Sequence, residues 1–359
     1  MLKMVDLDDL EQIKKYDSKD MAGSIVFLKD QVKSAWGESK NLKLPEDYKQ
    51  VKNICVAGMG GSALGAHIVR SVWDIPVPFQ IVNDYVLPPF VNEETLVIIS
   101  SYSGETEETI SALQEAKAKK AKIVGMATGG ALIEDLKKSG LPFCQFDTKY
   151  NPSGNPRLGL GFSIGAILAM LANLDLVEVT DKTVSDIEKK IDEWNKVFGP
   201  NSKIPDNEAK NAALNLMERI FVILAGPFLA GNAHTFANQI NESAKAFGTY
   251  FLLSEMNHHL LEGISYPQSL KDKVKFFTFD SNLYDEKIKI RLDLSKELLD
   301  KNKIRHSSYQ VKSNRKDLAA FEALAFSSWT SLYMAIAYEV DPSFIPNVQY
   351  FKDQLAKRS

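Results

Sequence analysis

The chain reads as an α/β protein that contains one unit twice. Each copy is a parallel sheet flanked by helices, a three-layer αβα sandwich. Three observations predict this. From Asn53 onward, apolar runs of strand length alternate with helical patterns, and that alternation requires a parallel sheet covered on both faces by its crossover helices. The first run, Ile54 to Ala57, stops at glycines within Cys55-Val56-Ala57-Gly58-Met59-Gly60-Gly61-Ser62-Ala63-Leu64-Gly65, and a small-residue helical pattern continues through Ala66, Ile68 and Val69. A second strand runs into glycine at Arg219-Ile220-Phe221-Val222-Ile223-Leu224-Ala225-Gly226, which marks the second copy. A length of 359 residues is in keeping with two cores rather than one.

In chain order, residues 1–40 form an N-terminal helical segment, with Met21, Ile25, Leu28 and Val32 at helical spacing and an end near Trp36-Gly37. The first domain is assigned to residues 41–178. After the glycine turn and its helix come strands over 79–82 and 96–100, a helix over 107–118, a strand over 122–127, a helix near 131–139 and a strand over 142–146. Tyr150 to Gly161 is a Pro/Gly-rich loop containing Arg157, and a helix from Ile164 to Leu174 closes the domain. Residues 179–207 read as a helical linker, with a charged helix over Asp181–Phe198 followed by Gly199-Pro200-Asn201-Ser202. The second domain spans 208–345: a helix opens at Ala230-Gly231-Asn232-Ala233-His234 and runs toward Asn241, strands follow near 251–253, 274–278 and 306–311, and a long helix covers Phe321–Val340. A C-terminal segment, 346–359, carries a short basic helix over 348–358.

Composition narrows the partners. A net charge of −3 offers no electrostatic footprint for nucleic acid or an anionic membrane, so any attraction for phosphate must be local. The two cysteines, Cys55 and Cys144, stand in apolar strand-like contexts that favour buried thiols over a disulfide. Met1-Leu2-Lys3-Met4-Val5-Asp6 lacks an apolar signal core and no run reaches membrane-spanning length, so the expected location is cytoplasmic.

The glycine turn admits two readings. Gly58-x-Gly60-x-x-Ala63 satisfies a dinucleotide fingerprint, with Asp84 roughly placed for a ribose hydroxyl. The next strand, however, ends in Ser100-Ser101-Tyr102-Ser103-Gly104-Glu105-Thr106 before another helix. A hydroxyl-rich loop at a helix start supplies N–H and O–H donors together, which suits a terminal phosphate monoester; a pyrophosphate bridge prefers bare glycine backbone. Ser62 adds a hydroxyl from the first turn, and Gly61 gives backbone room. The bland alternative is that Ser101, Ser103 and Thr106 only cap the helix, for which one hydroxyl suffices. Phosphate binding by Gly61, Ser62, Ser101, Ser103 and Thr106 is the expectation.

Five stretches occur in a particular order: Gly58-Met-Gly-Gly-Ser62, Ser101-Tyr-Ser-Gly-Glu-Thr-Glu-Glu-Thr109, Pro156-Arg157, Asn241-Glu242-Ser243-Ala244-Lys245 and Glu255-Met256-Asn257-His258. With Asp17-Ser-Lys-Asp20-Met21 near the start and Asp341-Pro342 and Lys352 near the end, nearly the whole chain resembles the sugar isomerase (SIS) superfamily, within it the bifunctional phosphoglucose/phosphomannose isomerases. The resemblance implies two SIS domains. It also implies reversible isomerisation of glucose 6-phosphate and mannose 6-phosphate to fructose 6-phosphate through a cis-enediol(ate), with no cofactor and no metal. Such chemistry needs a base that moves a proton between C1 and C2, and a partly buried carboxylate serves. By resemblance Glu242 is that base; on spacing alone it could instead be a surface glutamate paired with Lys245. Arg157 stabilises the enediolate by resemblance, since an always-charged fork suits a developing oxyanion, although a lone loop arginine is more often solvated. The resemblance further implies that His258 is the ring-opening group, reaching the site from the neighbouring subunit of a homodimer, and that Lys352 assists at the ring oxygen. His258, His259 and Glu262 could alternatively hold a metal, but adjacent histidines seldom face one ion. The family's Asn-His-Asn-Glu is Asn257-His258-His259-Leu260 here, and a position that is often polar is Ile345, so the ratio of the two sugar activities stays open. A non-catalytic phosphosugar-binding regulator is the rival reading; it would keep the serines and dispense with Glu242, Arg157 and His258. A nicotinamide-dependent enzyme built on the Gly58 turn is a third.

Overall fold

In a computed structural model, which describes residues 5–358, the apolar runs become strands of two wholly parallel sheets. The first contains β1 (Asn53–Gly58), β2 (Phe79–Val82), β3 (Thr95–Ser100), β4 (Lys122–Ala127) and β5 (Phe143–Gln145), in the order β2-β1-β3-β4-β5. The second contains β6 (Ile220–Ala225), β7 (Gly248–Leu252), β8 (Val274–Ser281) and β9 (Arg305–Val311), in the order β7-β6-β8-β9. Every residue of β3 is buried, as a central strand covered on both faces requires. Apart from the absent fifth strand, the second order repeats the first, so the two sheets are copies of one topology.

Helices α1 (Leu10–Tyr16), α2 (Met21–Val26) and α3 (Leu28–Ser39) precede the first sheet. The predicted N-terminal segment is thus divided: Asp17 accepts the Met21 and Ala22 amides and Asp20 takes a left-handed backbone at the start of α2. α4 (Gly61–Val72) follows β1, α5 (Glu107–Ala118) follows β3, α6 (Gly130–Lys138) follows β4, and α7 (Leu160–Asn173) ends the unit. α8 (Asp181–Phe198) and α9 (Glu208–Leu216) lead to the second sheet. There α10 (Ala230–Gln239) follows β6, α11 (Leu253–Gly263) and α12 (Leu270–Lys273) follow β7, α13 (Glu286–Lys301) follows β8, and α14 (Lys316–Ala337) and α15 (Pro346–Leu355) come last. α14 is buried on every side from Leu318 to Ala337, packing on α8, α9 and α10 as the central helix. α10 crosses α4 and joins the two sheet layers. Cys55 and Cys144 are buried free thiols, and burial pushes each up to about 12. Among the described residues no helix is long and apolar enough to cross a membrane.

Candidate active site

An open parallel sheet in the order β2-β1-β3-β4-β5 changes direction between β1 and β3, and the crevice beyond their carboxyl ends is where ligands bind. Those ends are Gly58 and Ser100, in register with one another. Gly60 turns the chain with φ of 48°, and α4 begins at the next residue. The Ser100 hydroxyl donates to the Ser62 carbonyl at 2.6 Å, and the Tyr102 amide donates to Ser62 Oγ at 2.9 Å. Ser101 Oγ accepts the Gly104 amide at 3.1 Å and donates to Thr106 Oγ1 at 3.2 Å, while Ser103 Oγ accepts the Glu105 amide at 3.2 Å. Thr106 stands at the N-cap of α5, yet its side chain makes no capping bond. The hydroxyls are therefore organised within the loop, beside two helix starts. Asp84 is exposed, its carboxylate accepting the amide of its neighbour Tyr85 at 2.6 Å.

The matching turn of the second sheet is filled. Tyr284 is buried there; its hydroxyl accepts the Gly226 amide at 3.0 Å and donates to the Phe279 carbonyl at 3.1 Å. The duplicated topology thus offers one open switch point, in the first sheet.

Arg157 is fully buried. Nε donates to Ser243 Oγ at 2.9 Å, Nη1 to Asn155 Oδ1 at 3.0 Å and Glu242 Oε2 at 3.1 Å, and Nη2 to the Pro342 carbonyl at 2.6 Å. Burial pushes the guanidinium below its ordinary value, and Glu242 opposes that shift. The solvated-loop alternative does not describe this side chain. The loop around it is a buried polar network: Asn151, Ser153 and Asn155 bond to one another, and Gln31 from α3 donates to the Tyr150 and Leu158 carbonyls. The same loop abuts the glycine turn after β1. A Cβ placed on Gly61 would lie 2.7 Å from the Arg157 amide nitrogen and 2.8 Å from the Pro156 carbonyl carbon, so only glycine allows this approach.

Glu242 lies just beyond α10, in a single π-helical turn over Ile240–Ala244. Such turns insert one residue into a helix and commonly occur at functional sites. Its side chain is 24% exposed, and Oε2 is held by Arg157. Lys245 takes no part in that pair: from a left-handed backbone its ammonium donates to the Ser243 carbonyl at 3.0 Å and the Asp341 carbonyl at 2.7 Å. Ser243, Asn155 and the Pro342 carbonyl are members of the site that sequence reasoning gave no role.

His258 and Lys352 take no part in this network. His258 is exposed on α11, whose Asn257 donates to Ser295 Oγ at 2.8 Å. Lys352 is exposed on α15. Among the described residues, no hydrogen bond or ion pair joins either to Arg157 or Glu242 within one chain. His259 faces Glu255 at 4.0 Å, and no three His, Cys, Asp or Glu side chains converge as metal ligands among the described residues.

Fold and site define the SIS class of α/β proteins: the SIS domain matches residues 47–133, and the bacterial phospho-glucose isomerase C-terminal SIS domain matches residues 205–355. Solved structures share the fold, among them a hypothetical protein from Thermus thermophilus (TM-score 0.74, 16% identity, 97% of this chain and 94% of that one) and the tagatose-6-phosphate ketose/aldose isomerase of Escherichia coli (TM-score 0.62, 17% identity, 93% and 94%). The chain belongs to the family of bifunctional phosphoglucose/phosphomannose isomerases. It is 31% identical to the protein of that name from Caldicellulosiruptor bescii over 94% of this chain and 99% of the relative, and 31% identical to that from Thermoplasma volcanium over 92% and 98%.

Proposed function

We propose that the protein interconverts glucose 6-phosphate and mannose 6-phosphate with fructose 6-phosphate through a cis-enediol(ate), as a cytoplasmic homodimer that uses no cofactor. The observation that supports this most is the contact chain from Gly61 through the Arg157 backbone to its guanidinium and Glu242 Oε2, which links the glycine turn to a carboxylate. The two domains assigned above divide the work: the first grips the phosphate, the second holds the base.

In this reading, Ser62, Ser101, Ser103 and Thr106 and the α4 and α5 amides bind the phosphoryl oxygens, with Gly61 leaving room. Arg157 fixes one carboxylate oxygen of Glu242 and leaves Oε1, which has no hydrogen bond among the described residues, for the substrate proton. Glu242 removes the C2 proton of the open-chain aldose and returns it to C1, while the C2 hydroxyl proton passes to O1, so that C2 ends as the ketone carbonyl. The bond pair moves to the enediolate, whose oxygen charge the neighbouring guanidinium stabilises without titrating. If the intermediate turns about C2–C3, reprotonation on either face yields either epimer, so one base serves both sugars. Ring opening falls to His258 of a neighbouring copy and to Lys352 on the terminal helix.

The test is a coupled assay with each hexose 6-phosphate on wild type and Glu242→Gln. The amide keeps an acceptor for Arg157 and cannot take a proton, so turnover should fall by roughly 10³-fold or more with phosphosugar binding retained. Turnover within about tenfold of wild type rejects Glu242 as the base.

A further inference from the structure

A cavity of about 510 Å³, within the size range of small-molecule sites, lies beside the π-turn that carries Glu242. Neither Glu242, Arg157 nor any of the phosphate-loop serines lines it, so it is separate from the site described above. Three cations line it, Arg219, Lys245 and Lys273, against a single carboxylate, Glu218. Arg219 holds unused donors: its buried Nε has no partner, and Nη1 donates only to the adjacent Glu218 carbonyl at 2.9 Å. Neither Lys273 nor the Glu218 carboxylate forms an ion pair among the described residues. The remaining wall is apolar, with Phe247 68% and Ile220 40% exposed at its rim. Three cations against one carboxylate, beside an apolar wall, favour a dianion with an apolar body.

Lys245 connects the cavity to the acid. Its ammonium holds the Ser243 and Asp341 carbonyls, while Arg157 holds Ser243 Oγ and the Pro342 carbonyl, so both cations grip the same two short stretches of chain. Burial, and then the Arg157 charge, push Lys245 down to about 8, a cost that a nearby negative charge relieves.

We propose that this cavity is a second anion site, taking an aryl or alkyl phosphate, and that its occupant alters turnover by drawing Lys245 away from the carbonyls that hold the Glu242 turn.

The probe is phenyl phosphate, followed by titration calorimetry with saturating glucitol 6-phosphate present to occupy the serine loops. Saturable binding of one phenyl phosphate per chain is expected, weakened at least about tenfold in R219Q/K273Q and unchanged in S62A/S101A. That comparison stands whether or not the serine loops take a sugar phosphate. In the coupled assay, phenyl phosphate should change the kcat of wild type and leave that of R219Q/K273Q unaltered, the two having equal activity without the probe. No saturable binding up to about 10 mM, or equal binding to wild type and R219Q/K273Q, overturns the site. Binding that leaves kcat unchanged overturns the coupling through Lys245.

Discussion

Arg157 must keep its charge where water does not reach, and it does so by giving each arm of its fork an acceptor: a hydroxyl, an amide oxygen, a carboxylate oxygen and a carbonyl. A lysine in its place keeps the charge and loses the plane; a single ammonium cannot meet acceptors spread over four groups. Charge-assisted buried hydrogen bonds contribute roughly 1.5–3 kcal/mol each, so Arg157→Lys should lower stability by about 3 kcal/mol or more, read from its denaturant midpoint. It should also reduce turnover by roughly 10²-fold, because the proposed oxyanion donor is displaced. An unchanged midpoint would show that the fork contributes nothing beyond its charge.

α10 and α4 cross in close contact. A Cβ on Gly231 would lie 2.5 Å from both the His67 carbonyl carbon and Ile68 Cα, so Gly231→Ala must push the helices apart and, through the π-turn, shift Glu242. Its expected signature is a lower Tm together with lost turnover. The same crossing places the His67 and His234 rings edge to face at 4.4 Å, with Tyr250 stacked on His234 at 4.6 Å and Arg70 close by. His67 Nε2 and His234 Nδ1 are buried without partners. Burial, then the His234 and Arg70 charges, push His67 down to about 3, and burial, then Arg70, lowers His234 as well. An unfolded histidine titrates near 6.5, so as pH falls below that value the unfolded chain takes protons that the native chain refuses, and stability declines. Between pH 6.5 and 5, before carboxylates contribute, His67→Phe should flatten the loss of Tm; an unchanged slope would remove His67 from the acid response. The sequence carried most of this scale: alternating apolar runs marked all the strands, and glycine and serine marked the loops. What it did not carry is long-range or lacks a pattern. Arg157 and Glu242 are 85 residues apart. A π-turn adds one residue to a helix without disturbing composition, and Asn151, Ser153 and Asn155 look like ordinary turn residues until a buried arginine is set among them. α11 and α13 escape sequence reading because their apolar stripes are narrow, with Met256 the main anchor of the first.

At the scale of the molecule, no hydrogen bond or ion pair among the described residues of one chain joins the proposed base to the proposed ring-opening histidine. Glu242 sits beyond the end of α10 and His258 lies exposed on α11, which begins at the far end of β7. On the proposed dimer, each site takes Glu242 from one copy and His258 from its partner, and this predicts complementation. Glu242→Gln and His258→Ala homodimers are each inactive at every site. A hybrid of the two pairs the intact Glu242 of one chain with the intact His258 of the other at one site and carries both defects at the second. Random reassortment makes half the dimers hybrid, with half of their sites intact, so mixing equal amounts after dissociation and reassociation should restore about a quarter of wild-type activity. If His258 acted on the Glu242 of its own chain, every site would keep one defect and mixing would restore nothing. A coupled assay on the mixture, with each variant alone as control, separates the two arrangements.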